Sequence, residues 1–255
     1  ISYDRSILYR GEEERFRGAF TAPGTDKRRL WMLNSPQDHD QLMELDTVTG
    51  EVLQSLVIPG TLDAHDSVRV GNSVFIVDTR HGTVVEISLP ASAAPYTESS
   101  IQAGAKVVEK EGYISVIKVH TGFTRGDHIN NVAVHPELLI SNLHGGSKSW
   151  SPTRLSALSR SISQEDGREL NSEEDGFSAV DNVGTMCHGI AFWEDTTTPN
   201  TSESNIKLIS LDSMHGTLVS VVLAGPNKGE REVLWEPDES HPVLTPPDGV
   251  AKAYR

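Results

Sequence analysis

Ala64-His65-Asp66-Ser67-Val68-Arg69-Val70 is followed by Val74-Phe75-Ile76-Val77-Asp78 and, after His81-Gly82, by Thr83-Val84-Val85-Glu86-Ile87-Ser88. Three short, β-branched runs separated by tight-turn residues read as consecutive antiparallel strands. The pattern returns twice. Asp127-His128-Ile129-Asn130-Asn131-Val132-Ala133-Val134 leads to Leu138-Leu139-Ile140-Ser141-Asn142 and His144-Gly145. Cys187-His188-Gly189-Ile190-Ala191-Phe192-Trp193 leads to Leu208-Ile209-Ser210-Leu211-Asp212 and His215-Gly216. Asp248-Gly249-Val250-Ala251-Lys252-Ala253-Tyr254 then reads as the first strand of another unit, with Asp248 in the histidine position.

The leading residues, His65, His128, His188 and Asp248, are spaced by about sixty residues. A fourth strand fits Ile114 to Val119 in one unit and Glu232 to Trp235 in another. Tandem four-stranded units of this kind predict an all-β propeller of four or five blades. Leu30–Asn34, Gln41–Asp46 and Glu51–Ile58 read as strands two to four of a blade lacking its own first strand. The C-terminal strand is expected to supply it beside residues 30–35 and so close the ring. Residues 1–28 are expected to form an N-terminal arm or extra strands, and residues 29–255 the propeller domain.

Composition narrows the function classes. The 255 residues carry 22 Lys and Arg against 36 Asp and Glu, a formal charge of −14. That balance repels a phosphate backbone, and no basic patch offsets it, so nucleic acid is not an expected partner. No apolar run is long enough to span a bilayer, so membrane insertion is not expected. Cys187 is the only cysteine, which removes an intramolecular disulfide and a cysteine-based zinc cluster. The chain begins at Ile1 rather than Met, as a processed or trimmed chain would.

The turn Val77-Asp78-Thr79-Arg80-His81-Gly82-Thr83-Val84-Val85-Glu86-Ile87 resembles the Asp-containing turn of NHL-type propellers. As a pattern, the resemblance covers residues 30–255. His65-Asp66, His128-Ile129 and His188-Gly189 are similar to the inner-strand motifs of the lyase domain of peptidylglycine-amidating enzymes, where three such histidines hold zinc. That family has six blades, disulfides, and a tyrosine and an arginine at the metal, neither matched here. Carotenoid-cleaving oxygenases hold iron on a propeller axis with four histidines, in much longer chains, and Asp248 departs from their pattern.

Equivalent inner-strand positions converge on a propeller axis, so His65, His128, His188 and Asp248 are the candidate ligands of one divalent transition metal, zinc or iron. Asp66, Asn130 and Asp127 are candidates to orient the imidazoles. His81, His144 and His215 are expected to be turn residues lying away from the axis, each set by the Gly that follows. The expected function is a mononuclear metalloenzyme of lyase, hydrolase or oxygenase type acting on a small organic substrate. Its rival is a non-catalytic platform for a small molecule or a protein partner, with inner-strand histidines serving as a structural polar ring.

Overall fold

The computed structural model describes residues 16–21, 29–35, 39–89, 110–114, 116–123, 125–135, 138–144, 152–159, 180–193, 206–224 and 227–237. These residues form sixteen strands in four sheets. The first sheet orders β1 (Phe16–Thr21), β2 (Arg29–Asn34), β3 (Asp40–Asp46) and β4 (Val52–Ile58), with β8 (Lys110–Tyr113) added in parallel beyond β4. The second is β5 (Ala64–Val70), β6 (Ser73–Asp78), β7 (Thr83–Ser88) and β9 (Val116–His120). The third is β10 (Ile129–Val134), β11 (Leu138–Leu143) and β12 (Arg154–Ser159). Val180 bridges Leu155 on the outer side of β12. The fourth is β13 (Cys187–Trp193), β14 (Ile206–Asp212), β15 (Thr217–Ala224) and β16 (Arg231–Trp235).

Face-to-face stacking explains why the middle strands read as continuous apolar runs rather than alternating ones. In β6, Val74 and Ile76 pack with Trp31, Leu33 and Leu42 of the first sheet, while Phe75 and Val77 pack with Ile129 and Leu139 of the third. Successive side chains of a strand point to opposite faces, so a sheet sandwiched between two others needs apolar residues at both parities. Burying these four side chains contributes on the order of 6–12 kcal/mol before chain entropy is counted. A third cluster, around Ile140, Leu155, Leu208 and Val221, joins the third sheet to the fourth.

The first strands of successive sheets adjoin one another, β1 to β5, β5 to β10 and β10 to β13. Stacked four-stranded sheets with neighbouring first strands make a propeller-like arrangement. At the first of these contacts β1 and β5 run so close that a Cβ on Gly18 would lie 2.7 Å from Ser67 Oγ. A side chain at position 18 would have to displace the Ser67 hydroxyl and press on the Ser67 backbone nitrogen at 3.3 Å, so the approach of the two strands favours glycine there.

One expectation is corrected by the strand order. The free flank of β2, expected to receive residues 248–254, is occupied by β1 from the N-terminal segment. A strand has two hydrogen-bonding edges, and β3 takes the other. Asp248 and the segment 248–254 lie outside the described residues. Among the described residues no helix is long and apolar enough to cross a membrane.

Candidate functional site: a histidine cluster at the mouths of the inner strands

A register break at the same place in every first strand builds the site. Pairing jumps from Phe16 to Gly18 in β1, from Ala64 to Asp66 in β5, from Ile129 to Val132 in β10 and from Cys187 to Ile190 in β13. A bulge leaves its residue unpaired and re-aims the side chain, and bulges are frequent beside active sites. The residues just inside the four breaks are Arg17, His65, Asn130 and His188. In the third sheet, then, register sets Asn130 level with His65 and His188. His128 stands two residues earlier, in a left-handed conformation with φ of 48° that brings its ring back to the group.

The structure brings His65, His128 and His188 into one cluster and adds His144. Ring centroids are 5.5 Å apart for His65 and His128, 5.9 Å for His128 and His144, and 5.1 Å for His144 and His188. The expectation that His144 lies in a turn away from the axis is corrected. Its backbone N–H donates to the Asp127 carbonyl at 3.1 Å, and its ring is buried against the opposite strand. His81 and His215 instead have Nδ1 at 2.6 Å and 3.0 Å from the Asp78 and Asp212 carboxylates.

Three of the four imidazoles, His65, His144 and His188, are each steered by a different group. His65 Nε2 lies 3.3 Å from Asp63 Oδ1, and Arg17 lies 3.8 Å from the same oxygen. Asp63 itself has φ of 62°, and its hydrogen bond to His65 holds its carboxyl below the usual range. His144 Nε2 donates to the Cys187 carbonyl at 2.8 Å. His188 Nδ1 lies 3.1 Å from Ser213 Oγ. Of the residues expected to orient imidazoles, Asn130 touches them with its side chain. Its Nδ2 lies 3.0 Å from Nδ1 and 3.3 Å from Nε2 of His144, and 3.4 Å from His188 Nε2. Asp66 accepts from Asn131 at 3.0 Å instead, and burial raises its pKa. Asn131 and Asn142 complete a brace across three sheets: Asn142 donates to Asn131 Oδ1 at 3.1 Å and to the Cys187 carbonyl.

Burial lowers the pKa of His128 and His188, and that of His144 to about 4, with neighbouring imidazoles adding to the effect. At neutral pH these rings keep their lone pairs, the state that suits zinc or iron. The buried Oδ1 of Asn130 has no hydrogen-bond partner. That orphaned acceptor, among neutral imidazoles, fits a cation. As the side chains stand, no three His, Cys, Asp or Glu residues among those described converge into a group that could hold a metal ion. His65, His144 and His188 each turn one ring nitrogen to a protein partner.

Sheet stacking and this cluster define an all-β, propeller-like protein with histidines gathered at the mouths of its inner strands. No family model matches the chain, and no curated protein matches it. Among solved structures, it is similar to regucalcin, a calcium-binding protein from Agrobacterium tumefaciens, at 14% identity and a TM-score of 0.49, over 89% of this chain and 61% of that one. It is also similar to a putative 6-phosphogluconolactonase from Bacteroides fragilis, at 11% identity and 0.45, over 88% and 57%. An apocarotenoid oxygenase variant from Synechocystis follows at 9% and 0.43, over 88% and 50%. The chain thus spans between half and about three-fifths of the length of these structures.

Proposed function

We propose that the protein is a metal-binding, propeller-like enzyme of lyase, hydrolase or oxygenase type, acting on a small organic substrate at the mouths of its inner strands. The supporting observation is the unbroken chain of ring contacts from His65 through His128 and His144 to His188. His65, His128 and His188 would hold one zinc or iron ion, with Asp248 as a further ligand. Bound there, the metal supplies Lewis acidity or an activated water or oxygen. The chain's own groups orient the rings: Asp63 turns His65, the Cys187 carbonyl fixes the His144 tautomer, and Ser213 sets His188.

A second reading is a non-catalytic platform for a small molecule or a protein partner. It draws support from the protein partners already held by His65, His144 and His188. Metal content separates the two. Gently purified protein is expected to carry close to one equivalent of zinc or iron. His65→Ala, His128→Ala and His188→Ala should each remove most of it, because one ligand is a large share of a small coordination set. Asp248→Ala should remove less. Protein that is metal-free and takes up neither added Zn(II) nor Fe(II) leaves only the platform.

A further inference from the structure

We propose that the site takes a small organic carboxylate, and that Arg17 is the residue that binds its anionic group. This rests on the proposed function for the place of the site and adds to it the chemical class of the substrate.

Arg17 stands where the repeat puts a functional side chain. The pairing of β1 with β2 breaks around Arg17, as that of β5 breaks around His65 and that of β13 around His188. Sequence spacing reserves the leading place of the first sheet for Asp248, and β1 fills it with a cation instead. A second repeated feature brings a carboxylate to the same corner. Asp63, His128 and Met186, with φ of 62°, 48° and 52°, each immediately precede an inner strand. Left-handed backbone is unfavourable for residues other than glycine, and strain of this kind gathers at functional sites. At Asp63 it turns the carboxylate toward the inner-strand side chains, with Oδ1 3.3 Å from His65 Nε2 and 3.8 Å from the Arg17 guanidinium. Arg17 and His65 thus meet at one oxygen.

The guanidinium has donors to spare. At 3.8 Å Asp63 is outside hydrogen-bond distance, and the hydrogen bond that Asp63 does accept comes from His65. Among the described residues the Arg17 side chain makes no hydrogen bond. Other arginines are committed: Arg69 of β5 donates to the Gly71 and Thr21 carbonyls, and Arg231 to the Asn182 carbonyl. A guanidinium offers five N–H groups in a planar fork, which matches a carboxylate edge to edge. The Arg17 side chain is 31% exposed, so that fork is open to a ligand. Burial keeps His128, His144 and His188 neutral at pH 7, so the permanent positive charge of the cluster is that of Arg17. A singly charged, planar anion fits this corner better than a phosphate dianion, which Asp63 would repel about twice as strongly.

Sodium acetate is the probe, with acetamide as its neutral isostere and inorganic phosphate as the rival anion, each titrated into the full chain at constant ionic strength. The Arg17 side-chain Nε–H resonance is expected to move and saturate with acetate and to stay in place with acetamide. In Arg17→Gln the acetate affinity, followed by the His65 ring resonances, should fall at least tenfold. Arg17→Lys, which keeps the charge and loses the fork, should recover only part of it. Because β1 is an edge strand and the Arg17 side chain makes no hydrogen bond, Arg17→Gln should keep the wild-type urea midpoint. An Arg17 resonance unmoved by acetate, or an acetate affinity equal in wild type and Arg17→Gln, overturns the proposal. Phosphate saturating that resonance more tightly than acetate overturns the choice of a carboxylate. Failure of acetate with Zn(II) uptake retained removes this inference alone, whereas failure of Zn(II) uptake with acetate still held at Arg17 removes the metal reading alone.

Discussion

His215 and His144 are each followed by glycine in the segment after the second strand of a repeat, yet they end in opposite environments. In the fourth sheet, Asp212 stands three residues before His215. Its Oδ1 accepts the backbone N–H groups of Met214 and His215, its Oδ2 takes the ring Nδ1, and the ring is 65% exposed. The Asp78 turn repeats this, with His81 47% exposed. In the third sheet the aspartate is replaced by the neutral Asn142, one residue closer to the histidine. Its amide is committed to Asn131 and to the Cys187 carbonyl, so no local acceptor catches the imidazole. The His144 ring reaches across to the next strand and is only 7% exposed. The contrast shows that a histidine's place in this fold is decided by which acceptor reaches its ring first.

The sharpest way to break the contrast is Asn142→Asp. The carboxylate has no hydrogen to give and would face the Cys187 carbonyl from a fully buried position. The Asn131 backbone N–H still donates to the carboxylate, but one hydrogen bond does not offset a buried charge, and the cost should reach about 3 kcal/mol, so the urea midpoint should fall steeply. A loss below about 1 kcal/mol would mean that Asn142 does not hold the third sheet to the fourth. Next in size is the pH response of the metal-free protein. His144 has a folded pKa of about 4 against an unfolded value near 6.5, so between these limits the unfolded chain binds a proton that the folded chain refuses. Stability is therefore complete above about pH 6.5 and falls as the pH drops toward 4, by on the order of 3 kcal/mol from this ring. The lowered values of His128 and His188 act in the same direction. Chemical unfolding at pH 7 and pH 5 measures the slope, and His144→Gln should flatten it. An unchanged slope in that variant would contradict the burial of His144.

The inner strands were legible because each pairs a leading histidine with a β-branched run and a turn at fixed distance. β5, β10 and β13 form where that pattern stands. The cluster of His65, His128 and His188 was legible for the same reason. Asn130 was not placed level with His65, because sequence spacing aligns histidine with histidine, whereas the ladder aligns by hydrogen bonds and the break in β10 moves the match by two residues. His144 was missed because its His-Gly pair matches those of the two rim turns. The one signal available was length: Asn142-Leu143-His144 is a residue shorter than Asp78-Thr79-Arg80-His81 and Asp212-Ser213-Met214-His215. β1 was legible only as one alternative, extra strands within residues 1–28, because a segment such as Phe16–Thr21 has no histidine and little alternation to fix its place. The parallel addition of β8 to β4 depends on a crossover between sheets, which local pattern does not encode.

The smallest expected effects come from removing the rim imidazoles themselves. In His215→Ala, Asp212 keeps two backbone donors, from Met214 and from residue 215, so only a solvent-exposed contact is lost. Exposed pairs of this kind are worth roughly 0.2–1 kcal/mol, and the value for His215 should lie at the lower end. His81→Ala should cost slightly more, about 1 kcal/mol, because its partner Asp78 is almost fully buried and the contact is short at 2.6 Å. Asp78 still accepts the N–H groups of Leu62 and residue 81 after the change, which prevents a larger loss. Denaturant midpoints of the two variants, compared with His144→Ala, test the ranking. If either rim variant is as destabilised as His144→Ala, the capture of the imidazole by the turn aspartate matters more to the fold than the contact of His144 with Cys187, and the division between rim and cluster histidines fails.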